Sequence, residues 1–135
     1  MYTDQETLER NKRLVTEFYR RVFDGQNPAA VRDFVTEDYK QHCSHIPSGR
    51  AGLETFVKTV FPSGPVPEPD AMRIPPAFIV SEGDMVVVAA YLPQPEPEDP
   101  GRTYDYFIFD AFRIRDGKLA EHWSSVNKIA PPKHD

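Results

Sequence analysis

The chain has 135 residues, with 16 lysines and arginines against 21 aspartates and glutamates, and a formal net charge of −5. This length fits one compact domain with its own hydrophobic core and is short for two. The acidic balance argues against a partner made of nucleic acid or anionic membrane, because no basic stripe is present to neutralise phosphates. The single cysteine, Cys43, excludes an intrachain disulfide and a multi-cysteine zinc site. We find no secretory signal and no membrane-spanning window, and therefore expect a cytoplasmic protein with a single domain over residues 1–135 and flexible ends at about 1–4 and 129–135.

Three helices are predicted in the first half of the chain. Apolar residues recur at helical spacing over residues 8–23, and Gly25 is suited to end this long helix in a left-handed conformation. Asn27 followed by proline is typical of an N-cap and predicts a short second helix over residues 28–34. A third helix is expected over residues 50–61. Between the second and third helices, residues 39–47 are expected to form a polar connection.

The second half is predicted to form an antiparallel meander. A proline-rich stretch over residues 62–76 excludes a helix and separates the two halves. The acidic, proline-rich segment over residues 93–102 is expected to be a solvated loop. Strands are predicted where β-forming residues are bounded by hairpin signals, over residues 77–80, 85–92, 104–114 and 119–126. Helices packed on one face of such a sheet give an α+β fold.

Two of the predicted strands are apolar on both faces. Residues 85–91 and 106–109 lack the alternation of apolar and polar side chains that an antiparallel sheet with one wet face shows. The helices can cover one face. A second copy of the chain covers the other face most simply, which predicts a two-fold homodimer. The alternative is that a proline-rich loop folds over this face.

Asp110 is the most informative polar residue. It lies within an aromatic strand, where a carboxylate is either buried and hydrogen-bonded or lines a cavity. Burial increases the proton affinity of an aspartate, which suits a general acid or base. The alternative is a structural aspartate bonded to backbone groups or to a tyrosine hydroxyl, and the residues alone leave both interpretations open.

The turn between the last two strands decides whether Asp110 meets His122. A two-residue turn at Asp116-Gly117 sets Asp110 opposite Trp123. A three-residue turn sets Asp110 opposite His122 instead, which creates an Asp–His pair. Without that pair, His122 is a histidine at the rim of the site with one ordinary hydrogen bond.

The polar connection supplies further candidates. His42 and His45 are suited to bind a substrate oxygen, assisted by Tyr39. A weaker hypothesis is that the two histidines and Asp110 form a two-histidine, one-carboxylate metal site. We expect neither metal nor cofactor, since the sequence has no phosphate-binding glycine loop, dinucleotide motif or serine-hydrolase elbow. The residues predicted to bind substrate are Tyr39, His45, Tyr91, Tyr106, Phe112 and Trp123.

The order of the motifs resembles a known family. Asp38-Tyr39-x-Gln41-His42 is followed by Gly49-Arg50-x-Gly52-Leu53, and residues 110–123 read Asp-x-Phe-Arg-Ile-x-Asp-Gly-Lys-Leu-x-Glu-His-Trp. Over most of its length the chain is similar to the SnoaL-like polyketide cyclases of the nuclear-transport-factor-2-like superfamily. The resemblance implies a cone-shaped α+β barrel, in which three N-terminal helices pack on a curved, mainly antiparallel sheet around an apolar pocket, often in dimers.

The resemblance also implies an activity that needs no metal or cofactor. It favours the three-residue turn, with Asp110, His122 and Ser124 facing the pocket and His42 entering from the helical side. The cyclases carry their aspartate base at the position of Ser124 and a histidine at that of Asp110. We predict an acid–base enzyme of isomerase, cyclase or lyase type, with Asp110, His122 and His42 acting on a small, apolar, oxygenated, polyketide-like substrate. The alternative is a non-catalytic ligand-binding or dimeric interaction module of the same fold.

Overall fold

The computed structural model describes residues 4–128. The helices are α1 (Asp4–Phe18), α2 (Val31–Phe34) and α3 (Gly49–Val60), with a π-helical turn (Tyr19–Asp24) extending α1 and a 3-10 turn (Pro28–Ala30) before α2. The strands are β1 (Val35–Gln41), β2 (Phe78–Glu82), β3 (Met85–Tyr91), β4 (Gln94–Glu96), β5 (Asp99–Tyr104), β6 (Phe107–Arg115) and β7 (Lys118–Ser124). The ends predicted to be flexible lie outside the described residues, except Asp4, which begins α1.

The helices follow the local signals of the sequence with one exception. The Asn27 side chain caps the 3-10 turn, because its Oδ1 accepts a hydrogen bond from the Ala29 N–H at 3.1 Å. Gly25 is right-handed at φ −79°, so the prediction of a left-handed glycine was wrong, and Gln26 takes the left-handed conformation at φ +50°. Glycine is still required at position 25, since a Cβ there would lie 2.5 Å from the carbonyl oxygen of Arg21.

Five strands form one sheet in the order β1-β7-β6-β3-β2. All neighbouring strands are antiparallel except β1 and β7, which are parallel. Strand β1 occupies the start of the segment that was predicted to be a polar connection. Its sequence is mostly polar because it lies at the edge of the sheet, where only Val35, Thr36 and Tyr39 are buried. Helices α1 and α3 pack against the sheet and enclose a core that includes Phe18, Val57, Val86 and Phe112.

The acidic, proline-rich segment is not a simple loop. Strands β4 and β5 form a separate two-stranded hairpin, with Gln94 opposite Tyr104. Prolines are tolerated here because each strand has a partner on one side only. The hairpin is tied to the segment that follows β7 by Lys128, which forms an ion pair of 3.1 Å with Glu96 and lies 4.3 Å from the centre of the Tyr104 ring.

The turn between β6 and β7 is the shorter of the two considered for it, but the strand pairing beyond it is not the pairing expected from that turn. It is a two-residue turn with positive φ at Asp116 (+54°) and Gly117 (+75°), the type that matches the twist of a hairpin. The prediction of a three-residue turn was therefore wrong. Ladder pairing skips Ala120, which leaves this residue as a bulge on β7. The bulge returns His122 to the side of the sheet that carries Asp110.

The helices cover only one face of the sheet. The inner face packs against the helices, whereas the outer face presents large apolar side chains to solvent, namely Phe78, Val80, Tyr91, Phe107 and Phe109. None of the helices between residues 4 and 128 has the length and apolar character that crossing a membrane would require.

Candidate active site

A cavity of about 660 Å³ lies between the helices and the inner face of the sheet. Its walls are mainly apolar and aromatic, with contributions from Phe18, Phe23, Leu53, Phe56, Ile108 and Phe112. A cluster of polar residues interrupts this apolar surface. It consists of Tyr19, Tyr39, Gln41, Asp110 and His122. A concave, apolar site with a few convergent polar groups is typical of a pocket for a small molecule.

Asp110 and His122 form a buried pair in the cavity wall. Asp110 Oδ1 lies 2.8 Å from His122 Nε2, and each residue is only 8% exposed. The two residues are diagonal neighbours, because Asp110 is directly opposite Ser124 and His122 is opposite Phe112. The Asp–His pair expected from the sequence is therefore present, although it arises from a bulge rather than from the length of the turn.

Tyr19 holds the second oxygen of the carboxyl group. Its hydroxyl donates a hydrogen bond of 2.6 Å to Asp110 Oδ2. Tyr19 opens the π-helical turn that extends α1, and this wider turn is a feature often found at functional sites. Burial, and then the nearby Asp110 carboxyl, raise the pKa of Tyr19 well above its usual value. Tyr19 is therefore a hydrogen-bond donor to Asp110 at neutral pH.

Gln41 determines which nitrogen of His122 carries a proton. Gln41 Oε1 accepts a hydrogen bond of 3.0 Å from the backbone N–H of Cys43. A backbone N–H only donates, so this contact fixes the oxygen of the amide in that position. The same oxygen lies 2.7 Å from His122 Nδ1. His122 Nδ1 must therefore carry a proton and donate it to Gln41.

This assignment fixes the number of protons shared by Asp110 and His122. With a proton on Nδ1, the contact between Nε2 and Asp110 Oδ1 needs one further proton. That proton lies either on the imidazole, giving an imidazolium and a carboxylate, or on the carboxyl group, giving two neutral partners. Both forms have zero net charge. Removing the proton leaves two lone pairs facing each other, so the pair is arranged to hold one transferable proton.

Two aromatic rings hold the imidazole of His122 in place. The Tyr39 ring lies parallel to it, with centroids 6.5 Å apart and an angle of 18°, and the Phe112 ring lies at 4.8 Å and 31°. Tyr39 is only 2% exposed. Burial, followed by the charge of Asp110, raises the pKa of Tyr39 well above its usual value. Its hydroxyl is therefore neutral throughout the physiological range.

The cavity wall also contains other residues predicted from the sequence. Ser124 lines the cavity, and its hydroxyl donates to the carbonyl oxygen of Ser125 at 3.1 Å. Tyr106 lines it as well, with its hydroxyl 2.8 Å from Ser125 Oγ. His45 lies at the wall, where its Nε2 is 3.4 Å from Cys43 Sγ.

Three residues predicted for the site lie elsewhere, and their assignment to the pocket was wrong. His42 and Trp123 are on the outer face of the sheet, where their rings stack at 4.8 Å and 7°. His42 Nε2 also contacts Glu121 Oε2 at 2.7 Å, and this hydrogen bond lowers the pKa of Glu121. Tyr91 is half exposed on the outer face and donates to Asp105 at 2.7 Å. For His42 and Trp123 the cause is register: Gln41 pairs with His122 and faces inward, so the next residue of each strand faces outward.

The metal hypothesis does not fit this geometry. It required His42, His45 and Asp110 to converge, yet His42 lies across the sheet from Asp110. Within residues 4–128 there is no group of three or more histidine, cysteine, aspartate or glutamate side chains placed to hold a metal ion.

Comparison with known proteins agrees with this architecture. The family model for the SnoaL-like domain matches residues 15–122, which is most of the chain. The chain belongs to the SnoaL-like family. No curated protein matches this SnoaL-like chain in sequence.

Solved structures share the fold of this SnoaL-like protein. A candidate SnoaL-like polyketide cyclase from Jannaschia sp. CCS1 has a TM-score of 0.61 at 20% identity, covering 91% of each chain. A candidate polyketide cyclase from Acidithiobacillus ferrooxidans has a TM-score of 0.59 at 19% identity, covering 86% of this chain and 87% of that one. A de novo designed protein with a curved β-sheet also reaches 0.61 at 16% identity, covering 88% and 86%. Likenesses at this level establish the α+β, nuclear-transport-factor-2-like fold.

Sequence reasoning missed two polar residues of the SnoaL-like site. Tyr19 was assigned to the apolar stripe of the first helix, and its contact with Asp110 spans 91 positions along the chain. Gln41 was placed in the polar connection without a role. The available signal for Gln41 was the family-like segment Asp38-Tyr39-x-Gln41-His42, which places it two residues after Tyr39.

Proposed function

We propose that this SnoaL-like protein is a cofactor-independent acid–base enzyme acting on a small, largely apolar, oxygenated molecule. The observation that carries the proposal is the 2.8 Å contact between Asp110 and His122 inside an apolar cavity. The reaction is an isomerisation, cyclisation or dehydration that begins with removal of a proton next to a carbonyl group. General acid–base catalysis by such a pair contributes about 10²–10⁴-fold, which suits an activated carbon acid.

Each polar residue of the pair has a defined role in this proposal. The carboxylate of Asp110 removes a proton from the carbon next to the substrate carbonyl and becomes a carboxylic acid. The His122 imidazolium balances the charge of the carboxylate and orients it, because its Nδ1 is held by Gln41. Return of the proton from Asp110 to a second carbon completes an isomerisation. In a cyclisation the enolate carbon instead attacks a second carbonyl of the substrate, and the alkoxide formed takes the proton back from Asp110.

Ser124 bears on the question of which residue acts as the base. The resemblance to the cyclases assigns their base to this position, and serine cannot act as a carboxylate. Asp110 is directly opposite Ser124 and faces the same cavity. We propose that the base function has moved to this neighbouring position on the paired strand.

Proton exchange on a simple ketone tests the proposal without knowledge of the natural substrate. The α-protons of 2-tetralone in D₂O, followed by ¹H NMR, should exchange about 10²-fold or more faster with the protein than in buffer. Asp110→Asn should remove this acceleration. Glu121→Gln is the matched control, because Glu121 precedes His122 on β7 but faces away from the cavity. Equal acceleration by Asp110→Asn and the unsubstituted protein would refute the proposal.

The second candidate function is a small-ligand-binding module without catalysis. Two observations support it. Serine at position 124 cannot act as the carboxylate base of the cyclases, and both oxygens of Asp110 are already engaged in hydrogen bonds. Binding of 2-tetralone with no exchange above the buffer rate would favour this function.

We also propose that the protein assembles as a homodimer through the outer face of the sheet. Five large apolar side chains on this face are between 44% and 52% exposed. An apolar patch of this kind on adjacent strands is typical of a surface that meets a partner. A two-fold axis would bring the same patch of a second copy against it.

A further inference from the structure

We infer that the hydroxyl of Tyr39 binds the oxygen of the ligand, and that the ligands of this cavity are uncharged carbonyl compounds. The inference deepens the proposed function, on which it rests, by naming the residue that recognises the carbonyl group and by restricting the ligands to uncharged compounds. It starts from one polar atom of the cavity wall that has no hydrogen-bond partner among the described residues.

Tyr39 differs from the other tyrosines of the cavity wall. The hydroxyl of Tyr19 is bonded to Asp110, and that of Tyr106 to Ser125. Tyr39 is 98% buried, since its exposed fraction is 2%, yet its hydroxyl has no hydrogen-bond partner among residues 4–128. A buried hydroxyl without a partner is unfavourable, so such a group is expected to have one supplied from elsewhere.

The unpartnered hydroxyl faces open space rather than packed protein. In the described part of the chain, the fully enclosed side-chain atoms without a partner are Thr36 Oγ1 and Ser81 Oγ. The Tyr39 hydroxyl is not one of them, and Tyr39 lines the cavity. A ligand in the cavity can therefore reach it.

The chemistry of the hydroxyl defines the group that it binds. Burial raises the pKa of Tyr39, so the phenol keeps its proton and needs an acceptor. A carbonyl oxygen is such an acceptor and carries no proton of its own. The ring of Tyr39 lies parallel to that of His122, and both residues line the same cavity as Asp110, so a carbonyl bound by Tyr39 shares the cavity with the Asp110–His122 pair.

The electrostatics of the cavity favour an uncharged ligand. The Asp110–His122 pair has no net charge, and the surrounding walls are apolar. Within the described residues, the lining contains a single lysine or arginine, Arg73, which is exposed to solvent. A carboxylate or phosphate bound beside Tyr39 would lose its hydration without gaining a buried cation.

Three probes of matched shape test the inference. They are 2-acetylnaphthalene, which carries a carbonyl group, 1-(2-naphthyl)ethanol, which carries a hydroxyl group, and 2-ethylnaphthalene, which carries neither. The unsubstituted protein should bind the ketone about fivefold to tenfold more tightly than the hydrocarbon, as expected for one neutral hydrogen bond. It should also prefer the ketone to the alcohol.

Tyr39→Phe removes the hydroxyl and keeps the ring. The variant should bind the hydrocarbon unchanged, which shows that it is folded, and should lose the preference for the ketone. The C=O stretching band of the bound ketone should move to higher frequency in the variant, because its hydrogen bond is absent. Tyr104→Phe is the control, since Tyr104 lies outside the cavity wall and its hydroxyl accepts from the Lys128 N–H.

Other outcomes overturn the inference. They are an unchanged ketone preference in Tyr39→Phe, tighter binding of the alcohol, and failure of all three probes to bind. The inference and the proposed function fail separately. A ketone preference that depends on Tyr39, without proton exchange on 2-tetralone, keeps the ligand class and removes the catalytic role. Exchange that depends on Asp110 but not on Tyr39 keeps the catalytic role and removes the role of Tyr39 in binding the ligand.

Discussion

Asp110 on β6 lies directly opposite Ser124 on β7, and both side chains face the cavity. This register depends on the bulge at Ala120, because an unbroken ladder from the two-residue turn would place Trp123 opposite Asp110 and turn His122 outward. The bulge thus brings an imidazole and a carboxyl group together on the concave face of the sheet. The next side chains along the same strands lie on the outer face.

The first prediction concerns the energy of the Asp110–His122 pair. Asp110→Ala and His122→Phe should each lower the free energy of unfolding by about 3–5 kcal/mol, because each leaves a buried polar partner unpaired. The double variant should lose less than the sum, with a coupling of about 1 kcal/mol or more. Urea denaturation of the four proteins measures this.

An exposed ion pair provides the control for that cycle. Arg115 and Asp38 are 2.6 Å apart, but both side chains are more than half exposed. Asp38→Ala should therefore lower the free energy of unfolding far less than either substitution in the buried pair. Additive effects of the Asp110 and His122 substitutions, within about 0.5 kcal/mol, would contradict a coupled pair.

The second prediction concerns Gln41 as a positioning residue. Gln41→Leu removes the acceptor for His122 Nδ1, so the imidazole is free to change tautomer, and proton exchange on 2-tetralone should fall by about 10²-fold. Gln41→Glu keeps an acceptor at this position and should retain most of the rate. Long-range ¹H–¹⁵N spectra should show Nδ1 of His122 protonated in the unsubstituted protein and in Gln41→Glu. Equal rates and spectra in Gln41→Leu would show that Gln41 has only a structural role.

The sequence predicted the parts of the fold that depend on local signals. Helical spacing and the Asn27 cap located the helices, and hairpin signals located the strands that follow residue 77. The shared face of Asp110 and His122 was also expected, through the family resemblance. The helices and strands follow from periodicity, caps and turns within about twenty residues, whereas the shared face of the two residues does not.

Other parts depend on contacts between distant residues, which spacing does not encode. The polar sequence of β1 forms a strand because β7 pairs with it, and this pairing decides that Gln41 faces inward and His42 outward. The bulge at Ala120 has no marker of its own in the sequence. The contact from Tyr19 to Asp110 depends on how α1 packs across the sheet, so an aromatic residue of the helix stripe gave no sign of it.

The third prediction concerns stability at alkaline pH. The pKa values of Tyr19 and Tyr39 are raised in the folded protein, so the folded state keeps these two protons at a pH where the unfolded state has lost them. The folded state then binds more protons than the unfolded state, and stability falls as pH rises above about 10. Each residue contributes a slope of about 1.4 kcal/mol per pH unit in that range.

Urea denaturation between pH 8 and pH 11 measures this slope. Below about pH 9 both tyrosines are protonated in the folded and the unfolded state, so they should add no pH dependence to the free energy of unfolding. Tyr39→Phe should reduce the slope by about 1.4 kcal/mol per pH unit in the range above pH 10. An unchanged slope in Tyr39→Phe would contradict a raised pKa for that hydroxyl.

The last prediction concerns assembly through the outer face. Val80 is 52% exposed on β2, and Phe109 is 44% exposed near the middle of the same face. If this face joins two copies, Val80→Lys places two charges in the interface of the dimer, where a buried unpaired charge is strongly unfavourable. Sedimentation velocity should give a dimer of the 15.4 kDa chain for the unsubstituted protein and a monomer for Val80→Lys. Val60→Lys is the matched control, because Val60 is a valine of similar exposure, 47%, at the end of α3 rather than on a strand of the outer face. A monomer before any substitution, or a dimer that persists in Val80→Lys and in Phe109→Lys, would show that the outer face is not the contact between copies.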